Sequence, residues 1–304
     1  MSSSSPIVIA GGTGFLGRRL AASLAGAGYE IVVLSRRPPG ERVGPVRFQL
    51  WDPQVPQGDW STSLEGSAAL INLCGESIGE GRWTDARKRL LIDSRTTATT
   101  ALVSAVNACA SPPPVFVQIS GTGFYGIGER ECDEHTGPGN DFLAGLAQRW
   151  EAPLEDLRPD VRPVVARLGV VLGKNGGALK QMLLPFRLFV GGPLASGRQW
   201  LSWIHLHDVS SAIAFLIASP EARGVFNLTA PAPVRNVDFA NAVGKALGRP
   251  TWMFTPRFVL KTLLGEQATL VCDGQRAVPE RLTRLGYSFT YPTIATALAE
   301  LTTN

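Results

Sequence analysis

The chain has 304 residues, of which 44% are hydrophobic and only 18% charged, with a formal net charge of +4. At roughly 150 residues per domain this points to one large or two closely joined domains with a sizeable core. It excludes wholesale disorder, which needs low hydrophobicity and high charge. Only five of the 29 basic residues are Lys, and the sequence holds no basic stripe and no apolar run of eighteen residues, which argues against nucleic-acid binding and a membrane-spanning helix.

After a polar lead without an apolar signal region, Met1–Pro6, the apolar run Ile7–Ala10 predicts a strand. Gly11-Gly-Thr-Gly-Phe-Leu-Gly17 follows, then an apolar-periodic stretch stopped at Gly26–Gly28, which reads as glycine turn and helix. Glu30–Leu34 predicts a second strand, so the opening is a βαβ unit and its two strands are parallel. Val46–Leu50 and Ala68–Leu73 are further short apolar runs. Thr84–Ala110 predicts a long helix free of internal Gly and Pro, and Val115–Ile119 a strand. Asp141–Leu157 reads as helical with a break near Pro153, and Pro163–Val171 as a strand. This alternation implies a doubly wound α/β sheet covered on both faces.

The second half is less regular. Gly177–Phe189 predicts a helix, Trp200–Leu206 a short strand, and Asp208 an N-cap for a helix over 209–218. Val225–Leu228 is strand-like, Asn236–Leu247 is an amphipathic helix closed by Gly248 and Pro250, and at least two more helices fall within 251–304. Cysteines 74, 109, 132 and 272 show no Cys-x-x-Cys spacing; free thiols in a reducing cytoplasm are expected.

Gly11-x-x-Gly14-x-x-Gly17 between strand and helix is a variant of the dinucleotide fingerprint. One glycine permits the turn, one lets a pyrophosphate approach the backbone, and one lets helix and strand pack closely. Thr13, Phe15 and Leu16 add backbone N–H groups where the helix N-terminus favours anions. An NAD site places an acid at the end of the second strand. Here the residues are Ser35-Arg36-Arg37, and a guanidinium there suits a ribose 2′-phosphate, so NADP(H) is the expected cofactor.

These motifs, with Ile71-Asn-Leu-Cys-Gly-Glu76, Asp93-Ser-Arg95, Ser120-Gly-Thr-Gly-Phe-Tyr-Gly126, Arg167-Leu-Gly-Val-Val-Leu-Gly173 and Ser202-Trp-Ile-His-Leu-His-Asp208, resemble the extended short-chain dehydrogenase/reductase superfamily. Within it the chain is similar to the atypical sugar-nucleotide-epimerase-like (YfcH-like) branch, from about 6 to 298, including a C-terminal block at about 250–298. The resemblance implies a Rossmann-type sheet over 1–172 with 201–230 returning to it. It also implies a smaller, mostly helical substrate-side domain from 173–200 and 231–304. It implies that Leu73, Cys74 and Arg95 border the cofactor and that Ser120, Gly121 and Val171 line its nicotinamide side. A small-molecule substrate, nucleotide-sugar-like, and a monomer or homodimer are expected; some relatives are connected with cell or plastid division, which would suit a non-catalytic NADPH-binding regulator acting through a protein partner.

The wider superfamily uses a Tyr-x-x-x-Lys pair, in which the Lys lowers the Tyr pKa. The four Tyr of this chain are followed four residues on by Val33, Glu129, Tyr291 and Ala295, never by Lys, and the helix at 141–151 has neither residue. Tyr125, with Thr122 beside it, is the candidate substitute acid. His205 and His207, alternating on a strand, would face one way but lack a third ligand, so no metal is expected. Arg198, Trp200 and Trp203 are read chiefly as packing residues.

Overall fold

The computed structural model describes residues 5–55, 58–174 and 176–303; the lead at 1–4 lies outside them. In chain order its elements are β1 (Ile7–Ala10), α1 (Phe15–Gly26), β2 (Ile31–Ser35), β3 (Arg42–Val43), β4 (Val46–Leu50), β5 (Ala69–Asn72), α2 (Asp85–Ala108), β6 (Val115–Gly121), β7 (Glu131–Cys132), α3 (Phe142–Glu151), β8 (Arg162–Leu168), β9 (Val170–Gly173) and α4 (Gly177–Arg187). There follow β10 (Trp200–Leu201), β11 (Trp203–His205), α5 (Leu206–Ala218), β12 (Gly224–Leu228), β13 (Val234–Arg235), α6 (Asn236–Leu247), α7 (Arg257–Leu264), α8 (Thr269–Cys272), β14 (Arg276–Ala277), α9 (Glu280–Arg284) and α10 (Ile294–Thr302).

The main sheet has eight strands in the order β12-β8-β6-β5-β1-β2-β4-β3, parallel except for the short edge strand β3. Strands buried on both faces read as near-continuous apolar runs. In β1, Ile7 and Ile9 enter one core with Leu20 and Leu24 of α1 and Ile213 and Leu216 of α5. Val8 and Ala10 enter the other, with Leu102 and Val106 of α2. Each such Val, Leu or Ile side chain, fully buried, contributes about 1.5–3 kcal/mol. The chain runs β1–β2 to one side and returns through β5 to the other. The crevice between β1 and β5, outside their C-terminal ends, is therefore the topological switch point where ligands of such sheets bind.

The second half builds its own core from α4, α6 and α10 around Leu183, Phe186, Phe239, Val243 and Leu298. Parts of it also reach back to the first half: β14 pairs with β7 in a separate two-stranded sheet, and Leu282 of α9 joins the core under β12.

Several elements differ from the sequence expectation. The strand expected over Pro163–Val171 breaks at Gly169, where a Cβ would lie 2.7 Å from the Ser202 carbonyl oxygen; β9 leaves the sheet and pairs with β11. The strand expected over Trp200–Leu206 breaks at Ser202, whose Oγ donates to the Gln275 carbonyl and accepts from the Ala277 N–H. Asp208 is not the cap of α5. The helix begins earlier, at Leu206, capped by His205 Nδ1 accepting from the His207 N–H. Asp208 is buried and accepts from the Thr290 and Tyr291 N–H groups. The two histidines accordingly do not share a strand: His205 ends β11 and His207 lies in α5. The helical stretch at 141–157 is capped by Asp141 and gives way to a 3-10 turn, Ala152–Asp156, at Pro153.

Candidate functional site

Each glycine of the turn after β1 meets a different demand. Gly11 has φ +75°, a conformation that disfavours a side chain, and a Cβ there would lie 3.1 Å from the Cys74 nitrogen and Sγ. Gly17 lets α1 lie on the turn, since its Cβ would fall 2.5 Å from Gly12 Cα. Gly14 is the opposite case. A Cβ there would meet only the Gly11 carbonyl oxygen, at 3.8 Å, so the space above it is open. Gly14 is also the N-cap of α1, without a side-chain cap and without an acid in the first turn. The first N–H groups of α1, at Phe15, Leu16 and Gly17, thus meet no carboxylate of their own, and the open backbone can receive a phosphate. Arg18 Nη1 braces the turn by donating to the Thr13 carbonyl, at 2.8 Å. The Phe15 ring fills the space left by Gly173, Gly176 and Gly177, where Cβ atoms would come within 2.6–2.9 Å of it, and so seats the start of α4 against the turn.

At the end of β2, Ser35 is buried and its Oγ accepts from the Arg37 N–H at 3.1 Å. The Arg36 side chain is 70% exposed and reaches toward the loop after β5, where its Nη2 lies 3.4 Å from Glu76 Oε1. Glu76 stands forty positions from Arg36, so no local pattern in the sequence signals the contact.

The end of β5 crosses the glycine turn closely. The Leu73 N–H donates to the Ala10 carbonyl and the Cys74 N–H to Asn72 Oδ1. Burial pushes the Cys74 thiol up to about 12, so it stays protonated and acts as a small packing residue. Arg95 of α2 is buried rather than on the helix surface. Its guanidinium lies over the Trp150 ring at 4.6 Å and donates to the carbonyls of Leu91 and Glu76, while its Nε has no partner among the described residues. Burial lowers its pKa to about 10.

Ser120, Arg167 and Asn227 lie in register across β6, β8 and β12. Ser120 Oγ donates to Glu151 Oε1 at 2.6 Å, and Arg167 clasps both oxygens of the same carboxylate at 2.9 and 2.7 Å. Arg167 Nη1 also donates to the Tyr125 hydroxyl at 3.2 Å, and that hydroxyl donates to Asn227 Oδ1 at 2.7 Å. Tyr125 is 6% exposed, and burial pushes its phenol up to about 12. Its proton is held inside the protein. Thr122 Oγ1 accepts from Gln275 Nε2 at 2.7 Å, which covers the residue with the C-terminal block and leaves the threonine proton without an acceptor among the described residues. Gly121 leads from β6 into the Thr122–Tyr125 turn, and Val171 pairs with Ile204 between β9 and β11. On α3, Leu146 with Phe142 and Leu143 joins an apolar cluster with Trp83, Leu91, Ile78 and Leu270. Glu151, at the C-terminal end of α3, is the polar side chain this helix brings to Ser120, and it is committed to Ser120 and Arg167.

Comparison with known proteins places these features in context. The model of the NAD dependent epimerase/dehydratase family matches residues 7–229, and that of a domain of unknown function (DUF1731) matches 255–301. The chain is 38% identical over 296 residues to the chloroplastic epimerase family protein SDR39U1 homolog of Arabidopsis thaliana, covering 96% of this chain and 85% of that one. It is 35% identical over 300 residues to the human epimerase family protein SDR39U1, covering 97% and 99%. The crystal structure of human SDR39U1 (isoform 2) with NADPH superposes with a TM-score of 0.90 at 33% identity, covering 98% of this chain and 99% of that one. A nucleoside-diphosphate sugar epimerase from Corynebacterium glutamicum superposes with a TM-score of 0.78 at 29% identity, covering 98% of this chain and 58% of that one.

Proposed function

The chain belongs to the NAD dependent epimerase/dehydratase family, and from that premise we propose that it binds NADP(H) and acts as an epimerase- or reductase-like protein on a small, nucleotide-sugar-like molecule. The observation that carries the cofactor reading is the open, uncapped backbone at Gly14, set at the β1–β5 switch point beside Ser35 and Arg36. The NADPH of the human relative's structure and the sugar-nucleotide activity in the Corynebacterium glutamicum neighbour's name support it. Bound there, the nicotinamide supplies a hydride donor or acceptor.

The protein's own residues have separable tasks in this reading. The N–H groups opening α1 receive the pyrophosphate, and Arg36 with Ser35 receives the 2′-phosphate. Leu73 and Cys74 wall the cofactor, with Arg95 held behind the loop that follows them. Ser120, Gly121 and Val171 border the nicotinamide. Tyr125 serves the buried network rather than proton transfer, since its hydroxyl is bound by Arg167 and Asn227. The Thr122 proton has no acceptor among the described residues, but the residue lies beneath Gln275.

General acid–base catalysis contributes about 10²–10⁴-fold, so turnover on sugar nucleotides should be slow. The test is a panel of sugar nucleotides and carbonyl compounds, with NADPH absorbance reporting reduction and product analysis reporting epimerisation. Slow turnover, unchanged in Tyr125→Phe, is the expected result. Rapid turnover abolished by Tyr125→Phe would make Tyr125 the acid and refute the structural role. No turnover on any member, with NADPH still bound, would favour the non-catalytic regulator, for which the apolar wall of α3 is the supporting observation.

A further inference from the structure

Glu76 is the acid that the end of β2 lacks, delivered from another strand. The loop after β5 carries it past β1 to within 3.4 Å of Arg36 Nη2. Its place does not depend on Arg36. The Glu76 N–H donates to Ser94 Oγ at 3.1 Å, its carbonyl accepts from Arg95 Nη2 at 3.0 Å, and its other carboxylate oxygen lies 3.6 Å from Arg87 Nη1. Arg36 by contrast is tethered, among the described residues, by this one long contact, and its side chain is mostly exposed.

Resting on the NADP(H) reading above, we propose that Glu76 is the counter-ion which Arg36 exchanges for the ribose 2′-phosphate, and that it narrows the discrimination between NADP(H) and NAD(H). Two effects act in the same direction. Arg36 must leave Glu76 before it can clasp the phosphate. The carboxylate, held by Arg87 on a backbone fixed by Ser94 and Arg95, then remains beside a group carrying nearly two negative charges. Each effect opposes NADPH and neither touches NADH, whose 2′-hydroxyl is neutral. Arg87 keeps its bond to the Ser77 carbonyl and continues to hold the loop when Glu76 is neutralised.

The experiment is calorimetric titration of NADPH and NADH into the full chain, Glu76→Gln, Arg36→Ala and the double variant. Exposed ion pairs of this kind shift an equilibrium by about two- to fivefold. Glu76→Gln should therefore tighten NADPH by about that factor, leave NADH unchanged, and tighten NADPH less in the Arg36→Ala background, where only the repulsion between carboxylate and phosphate remains to be relieved. Glu76→Ser carries the same expectation should the Gln variant misfold. An unchanged or weakened NADPH affinity would overturn the exchange, the weakened case meaning that Glu76 positions Arg36 instead. An equal change in both cofactors, or an effect undiminished in the Arg36→Ala background, would overturn it as well. Failure of the underlying cofactor reading is visible separately, in a wild-type chain that does not prefer NADPH.

Discussion

Gly14 and Gly17 are three residues apart and are both glycine for steric reasons, but the reasons are opposite. Gly17 abuts the backbone of Gly12, so Gly17→Val forces α1 off the turn and should destabilise the fold by at least about 1–3 kcal/mol. Gly14 faces open space, so Gly14→Val should melt at the wild-type temperature yet fail to bind NADPH. Thermal melts paired with an NADPH titration check both. A Gly14→Val variant that binds normally would remove the turn from the phosphate site. The spacing of the three glycines announces the turn, but it does not say which glycine serves the ligand and which serves packing. That distinction depends on what stands across from each Cα. The same holds for Arg36 and Arg95: their residue type was legible, while the Glu76 contact of one and the burial of the other arise from β5 and α3 being folded against them.

At the scale of elements, α10 is tied to the β11–α5 junction by His205. Its Nε2 lies 3.1 Å from Glu300 Oε2, and its ring stacks on Tyr291 with centroids 3.9 Å apart. Burial lowers the His205 pKa below its ordinary 6.5 despite Glu300. The unfolded chain therefore gains a proton at a pH where the folded chain does not, and stability falls as the pH drops below about 6.5. Hydrogen bonds from His205 and Lys174 outweigh burial and hold the Glu300 carboxyl below its ordinary value, so its contribution is lost at still lower pH. Urea unfolding at about pH 7.5, 6.5 and 5.5 should show this loss, and His205→Gln should flatten it. Equal slopes in the two proteins would rule His205 out as the titrating group. No alternation pattern shows that His205 ends a strand and caps a helix. The apolar run Trp200–Leu206 reads as continuous because Ser202, which breaks it, does so through Gln275 and Ala277 far along the chain. Elements whose boundaries follow from local chemistry were legible, such as α2 with its Thr84 cap and α6 with its left-handed Gly248.

For the whole molecule, the doubly wound sheet follows from alternating apolar runs and helical periods, and the cofactor turn follows from its place between β1 and α1. Strand order does not follow from those patterns. It is strand order that puts the Gly11 turn against Leu73 and Cys74 and opens the crevice between β1 and β5. The second half is legible as segments but not as an assembly. Gln275 over Thr122, and Leu270 against the α3 wall, come from the C-terminal block folding back over the sheet. A crystal structure of the protein grown with NADPH shows whether this chain holds the cofactor at the β1–α1 turn with the 2′-phosphate on Arg36. The pyrophosphate should lie against the N–H groups that open α1 and the 2′-phosphate within hydrogen-bond distance of Arg36 and Ser35. A cofactor bound elsewhere, or a 2′-phosphate turned away from Arg36 into solvent, would contradict that placement.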